Sequence, residues 1–221
     1  MRAVTFQAPG EVRVEDVPAP VLGAPDDAIV RVEATGVCGS DLHIYHGRVK
    51  IEPGFVIGHE FVGTVIAAGE AVTRVQVGER VLGCFHTACG ECFFCLRGLY
   101  QKCREVRVFG HGATLGSLPG SQAEQVLVPR ANMVLRRVPD GLSTDAALFA
   151  GDVMATGYHA VTFAWVAGGI VAAARKMARM PKRTDFPVLP GARASARVNA
   201  VGNGRFPSDV VSVPPQRSWR G

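Results

Sequence analysis

Residues 36–72 read GVCGSDLHIYHGRVKIEPGFVIGHEFVGTVIAAGEAV, and the rest of the chain takes its meaning from them. Cys38 offers a thiolate, and the triplet Gly58-His59-Glu60 offers an imidazole and a carboxylate. A zinc ion accepts all three donor types, and three protein ligands leave a fourth position open to water or a substrate oxygen. A lone cysteine is usually a small buried apolar residue, but this one shares a short stretch with two other donors. Ser40 and His43 follow Cys38 closely, which puts a hydroxyl and an imidazole beside the thiolate in sequence. Such a pair can carry a proton from a reacting alcohol to solvent.

The stretch resembles the zinc signature of the zinc-dependent medium-chain alcohol dehydrogenases, in which Gly-His-Glu is followed at fixed distances by two glycines and a small apolar residue. Gly63, Gly69 and Val72 stand at those places. The resemblance implies a GroES-like catalytic domain that interconverts small alcohols and aldehydes, with NAD(P) taking the hydride. It implies a catalytic zinc on Cys38 and His59, with Glu60 either bound to it or just behind. In the branch resembling formaldehyde dehydrogenases, an Asp ahead of a Thr-Gly-Tyr-His segment adds a ligand, and Asp152 occupies that position before Thr156-Gly157-Tyr158-His159. Read without the resemblance, Asp152 is a carboxylate near a helix start, where the helix dipole favours anions. Thr156 falls where the family places the nicotinamide, and Ser40 and His43 fall where it relays the alcohol proton.

A second cysteine group follows. Cys89, Cys92, Cys95 and Cys103 form C-x2-C-x2-C-x7-C within a lobe at residues 84–103. Four thiolates so spaced can enclose a tetrahedral zinc with no open position, a structural rather than a catalytic site. The sharpest rival is an iron–sulfur cluster, but that run wants a fourth Cys three residues on, followed by Pro, and position 99 is Leu. The dehydrogenases carry a lobe of this kind, so the resemblance implies two zinc ions, one catalytic and one structural. Cys84 and His86 are left over, and are read as an interior strand residue and a loop histidine.

Around these sites, from Met1 to about Pro139, short alternating runs are separated by Gly and Pro turns. EVRVEDV, AIVRVEA, FVGTVIAAG, ERVLGCF, EQVLVP and MVLRRVP are the strand candidates. They suggest a mainly β, compact barrel, and the family resemblance implies the GroES-like form of it. Ser143 is placed to cap a helix starting near Asp145, the first of the short C-terminal helices. No apolar run approaches the ~20 residues of a membrane span, and the first residues lack the apolar core of a signal peptide. Six cysteines without such a signal point to metal binding in a reducing compartment, with cytoplasm as the default.

The resemblance ends near residue 163, so the chain divides into a catalytic domain at 1–163 and a basic tail at 164–221. Residues 166–221 hold ten Lys or Arg against Asp185 and Asp209, which leaves the first 165 residues three units acidic. The net charge of +5 therefore belongs to the tail, and no specific nucleic-acid partner is expected of the main domain. Beyond a helix at Ile170–Met180 the tail has few apolar residues to bury and is expected to be largely disordered. A Gly202-x-Gly204 there has neither a preceding strand nor a later acid, so the sequence predicts that the Rossmann domain is absent and the chain truncated. The expected function is the zinc-binding catalytic domain of an alcohol dehydrogenase-like oxidoreductase, inactive by itself for want of a nucleotide site. The alternative is a non-catalytic zinc-binding remnant or subunit. The family's partners would be a small alcohol or aldehyde, with room for a homo-oligomer.

Overall fold

The computed structural model describes residues 1–163. The helix expected at Ile170–Met180, and everything else read from the tail, lies outside them.

The strands form two antiparallel sheets. One runs β2-β1-β4, made of Glu11–Asp16, Arg2–Ala8 and Phe55–Val56; the other runs β7-β3-β5-β6-β8. In the larger sheet β3 spans Ala28–Thr35, β5 Phe61–Ala68, β6 Arg80–Gly83, β7 Gln125–Val128 and β8 Leu135–Arg137. The first three residues of β3 (Ala28, Ile29, Val30) are all buried, because β3 is flanked by β5 and β7. The exposed β2 pairs with β1 alone. A bridge between Ala3 and Ala123 ties the two sheets together. This is the mainly β, antiparallel architecture that the alternating runs and the GroES-like resemblance predict.

The main core gathers Val30, Phe61, Val65, Val81, Phe109 and Leu135. Phe61 and Phe109 meet edge to face at 5.6 Å, and burying each ring contributes roughly 1.5–3 kcal/mol. A smaller cluster joins Ala34 and Val62 of the barrel to Ala147 and Leu148 of α3 (Thr144–Gly151), so this helix docks on the larger sheet. Ser143 caps α3 as expected, its Oγ accepting the Ala146 amide at 3.2 Å. α4 follows at Val153–Phe163.

One expected strand needs correction. In MVLRRVP only Leu135–Arg137 is strand, while Ala131–Val134 forms a one-turn helix, α2. Arg130 takes a left-handed conformation (φ 55°), which ends β7 and starts that turn. Asn132 then accepts the Thr73 and Arg74 amides and donates to the Ala71 carbonyl, bonds that pin the turn to the 71–74 loop. None of the helices among the described residues is long and apolar enough to cross a membrane.

Candidate metal centre

Three separate parts of the chain deliver the donors. Cys38 ends the β3 loop as the N-cap of α1 (Gly39–Tyr45), and Asp41 is the third residue of that helix. Asp41 Oδ2 accepts the Cys38 amide at 2.8 Å, half of a capping box that fixes the turn carrying the thiol. His59 and Glu60 lead into β5, and Asp152 sits between α3 and α4. One donor atom from each of Cys38, His59, Glu60 and Asp152 lies within 4.8 Å of every other. Of the sequence-predicted group, all four are therefore brought together.

His59 is the hub and is 3% exposed. Its Nε2 faces Asp152 Oδ2 and Ser40 Oγ, each at 3.4 Å, while Nδ1 lies 3.5 Å from Asp41 Oδ1. Burial works against a charge on this ring. Bonds to Asp152, Asp41 and Cys38 outweigh it, however, and push the pKa up to about 12. Glu60 is pushed up to about 7, by burial first, with the nearby His59 opposing and the carboxylates of Asp152 and Asp41 adding to the rise. Asp152 is partly buried, which would raise its pKa, but bonds from His59 and Thr156 hold it below the ordinary range.

A proton on His59 thus serves as counter-charge to the carboxylates of Asp41 and Asp152 on either side of its ring. A divalent cation supplies the same counter-charge to deprotonated ligands. The buried atoms agree. Glu60 Oε1 has no hydrogen-bond partner, although buried polar atoms almost always have one, whereas Asp41 Oδ1 and His59 Nδ1, also without a hydrogen bond, face each other at 3.5 Å on the far side of the ring. Sulfur, imidazole and carboxylate together suit zinc. The Glu60 carboxylate depends on Gly36, where a Cβ would collide with Oε2.

Ser40 lies against His59. His43 stands one turn further along α1 and is exposed, its Nδ1 3.3 Å from an Arg48 guanidinium nitrogen. It takes no part in the cluster. Thr156 is also exposed, and its hydroxyl donates to Asp152 Oδ1 at 2.8 Å. Its visible role is to hold that carboxylate.

The sequence reading passed over three neighbours. Asp41 carried a usable signal, since an acid three residues after a helix cap is capping-box spacing. His111 is buried, its ring 5.2 Å from that of His59, and its Nδ1–H donates to the Phe109 carbonyl at 2.8 Å. Phe85 stands edge-on to His59 at 6.5 Å. Neither His111 nor Phe85 sits in a spacing that would have marked it.

The four lobe cysteines also converge, each Sγ within 4.8 Å of the others. The Cys89–Cys103 and Cys89–Cys95 separations of 3.5 and 3.9 Å bracket the roughly 3.8 Å edge of a tetrahedron with ~2.3 Å metal–sulfur bonds. Backbone amides of Cys89, Cys92 and Glu105 donate to these sulfurs, as they would to thiolates. Amides of Cys95 and Arg104 draw the Cys92 thiol down, whereas burial pushes Cys95 up. Cys84, packed against the main core, lies 3.4 Å from His86 Nδ1.

Residues 24–140 match the family model described as alcohol dehydrogenase GroES-like domain. The chain is 42% identical over 159 residues to the medium chain reductase/dehydrogenase ucsI of Acremonium sp, covering 72% of this chain and 53% of that protein. It is 38% identical over 165 residues to zinc-type alcohol dehydrogenase B of Aspergillus flavus, covering 75% of this chain and 38% of the relative. Among solved structures it resembles alcohol dehydrogenase TADH from Thermus sp. ATN1, with a TM-score of 0.73, 48% identity, and coverage of 74% of this chain and 47% of that one. The chain spans about half the length, or less, of the relatives it matches.

Proposed function

Because the chain belongs to the zinc-type medium-chain alcohol dehydrogenases through its GroES-like domain, we propose that residues 1–163 are the zinc-binding catalytic domain of an alcohol/aldehyde oxidoreductase. The observation that carries this reading is the convergence of donor atoms from Cys38, His59, Glu60 and Asp152 to within 4.8 Å of one another, with Glu60 Oε1 buried and unpartnered. Cys38, His59 and Asp152 would hold the catalytic zinc, with Glu60 beside or on it, and the four lobe cysteines would hold a structural one. Bound there, zinc supplies a Lewis acid for a substrate oxygen.

The chain's own residues do the rest. Ser40 Oγ, 3.4 Å from His59 Nε2, is at the cluster and takes the hydroxyl proton. His43, exposed and three residues on along the same helix face, passes it towards solvent. Asp41 holds the His59 ring so that Nε2 points into the site. Thr156 orients Asp152, and its exposed position one turn into α4 suits contact with a nicotinamide. NAD(P) is the hydride acceptor that the family relation implies, and six free thiols suit a reducing compartment such as the cytoplasm.

The test is metal content and ligand response of the purified chain. Two zinc ions per chain are expected, one of them lost in Cys38→Ala. With cobalt(II) in the Cys38 cluster, small primary alcohols should shift its visible bands, as they would for a metal with an open position. One metal per chain, unchanged in Cys38→Ala, would refute the catalytic site. Two metals without any alcohol response would favour a purely structural pair.

A further inference from the structure

We propose that Arg80 is a positioning residue for Asp152, acting through α3. This rests on the reading of Cys38, His59, Glu60 and Asp152 as one metal site. Arg80 opens β6, and its three guanidinium nitrogens all have partners. Nε donates to Glu33 Oε2 on β3 at 3.3 Å, and the other two donate to the Leu142 carbonyl and to Thr144 Oγ1, both at 2.8 Å. Glu33 is itself fixed, its other oxygen accepting from Thr64 of β5 at 2.6 Å. Three adjacent strands of the larger sheet therefore grip the first turn of α3 through one planar fork, a geometry that Lys cannot reproduce.

The far end of α3 carries the consequence. The helix is eight residues long, about 12 Å at 1.5 Å per residue, and Asp152 is its C-cap. Gly151 rests against the Gly83 carbonyl, where an added Cβ would come within 3.0 Å. Strand β6 thus touches both ends of α3, with Arg80 at the start and Gly83 at the finish. Between these contacts Ala147 and Leu148 bury against Val62 and Val138. Apolar packing alone lets a short helix slide or rotate by fractions of an ångström, whereas a metal ligand must be placed to within about 0.2 Å. The Arg80 fork removes that freedom. Asp152 accordingly reaches His59 Nε2 at 3.4 Å although it joins the site from a helix rather than from the barrel strands.

The experiment uses the 221-residue chain with zinc in the four-cysteine lobe and cobalt(II) in the Cys38 cluster. Arg80→Met, Thr144→Val and Asp152→Asn are compared by cobalt spectrum, rate of cobalt release to a chelator, and amide exchange across residues 146–152. Arg80→Met should shift the cobalt bands in the same direction as Asp152→Asn and speed release on the order of 10-fold. It should also raise exchange at the end of α3, and leave release of the lobe zinc at the wild-type rate. Thr144→Val, which removes one acceptor and leaves the barrel intact, should move the same readouts less far, and it carries the test if Arg80→Met does not fold. Arg80→Lys should restore the charge without restoring the spectrum. If Asp152→Asn shifts the bands while Arg80→Met and Thr144→Val keep the wild-type spectrum and release rate, the positioning role is overturned. If Asp152→Asn itself leaves the bands unchanged, Asp152 is no ligand, and the metal-site reading fails together with the role of Arg80.

Discussion

Asp41 Oδ1 lies 3.5 Å from His59 Nδ1, on the ring nitrogen opposite the one that faces Asp152. Both residues are buried, and neither of these two atoms has another partner. Once a cation replaces the proton on Nε2, the carboxylate keeps the remaining hydrogen on Nδ1.

Asp41→Asn tests this without disturbing the helix start, because an amide oxygen can still accept the Cys38 amide. The amide NH2 would then face Nδ1 and favour the opposite tautomer, with Nε2 protonated. We expect metal affinity at the Cys38 cluster to fall about 10–100-fold, with unfolding changed much less. A chelator titration that gives wild-type affinity would remove Asp41 from the site.

Cys103→Ser should act on stability instead. Cys103 is buried among the other lobe thiols and receives the Cys89 and Glu105 amides. Three thiolates and a hydroxyl hold zinc poorly, and loss of a structural metal is among the large single-site effects, about 4 kcal/mol or on the order of 10 °C in Tm. One zinc should be lost per chain. Unchanged zinc content and Tm would refute the assignment.

Stability should follow pH in opposite ways with and without metal at the Cys38 cluster. Without it, the folded-state pKa values of His59 and Glu60 stand at about 12 and about 7, above the ordinary 6.5 and 4.5. Groups with raised values stabilise the fold fully below their ordinary pKa and lose that contribution as pH rises towards the folded value. Between pH 6.5 and 9 the stripped protein should therefore weaken, at up to ~1.4 kcal/mol per pH unit for His59. Zinc binding displaces those protons, so affinity climbs with pH and the gap in Tm between loaded and stripped protein should widen. Melting curves at three pH values suffice, and a gap that narrows with pH would contradict the protonated His59.

How much of this was legible from the sequence depends on distance along the chain. Most strands of the larger sheet were visible because a half-buried strand alternates, as AIVRVEA does, and the lobe because four thiols at short spacings have few other uses; β1 and the two-residue β4 were not among the runs singled out. The cap at Ser143 was a local fact and was readable as one. MVLRRVP was misjudged because the left-handed Arg130 and the bonds of Asn132 to the 71–74 loop outweigh β-propensity there. Asp41 had capping-box spacing, which marks a helix start but not a neighbour of His59, and His111 and Phe85 had no local signal at all. Their place beside His59 is set by how α1 and the loops at 84–112 fold back on β5, and no local period encodes that. Asp152 was reached only through the family resemblance. Its carboxylate is some 90 residues from His59 in sequence, and nothing in the intervening pattern points to their meeting.

Gly36 leaves room for the Glu60 carboxylate. A Cβ at this position would strike Glu60 Oε2 and crowd its side chain. The Gly36 amide donates to the Glu60 carbonyl at 3.2 Å, and an alanine keeps that bond. The cost of Gly36→Ala is therefore steric and is directed at one side chain. Glu60 is 6% exposed with one oxygen already unpartnered, so it has little space to retreat into. Overpacking of this kind costs typically 1–3 kcal/mol, and the displaced carboxylate should also alter the cobalt spectrum of the Cys38 cluster. Removing the obstacle should remove most of the cost: in a Glu60→Ala background, Gly36→Ala should destabilise by less than half as much. Urea denaturation of the four proteins gives the coupling directly, and contacts of this sort show 0.5–3 kcal/mol of non-additivity. Effects that add to within about 0.5 kcal/mol would mean that Gly36 acts through the backbone or another neighbour, and that the Glu60 carboxylate is not held by the absence of a side chain there.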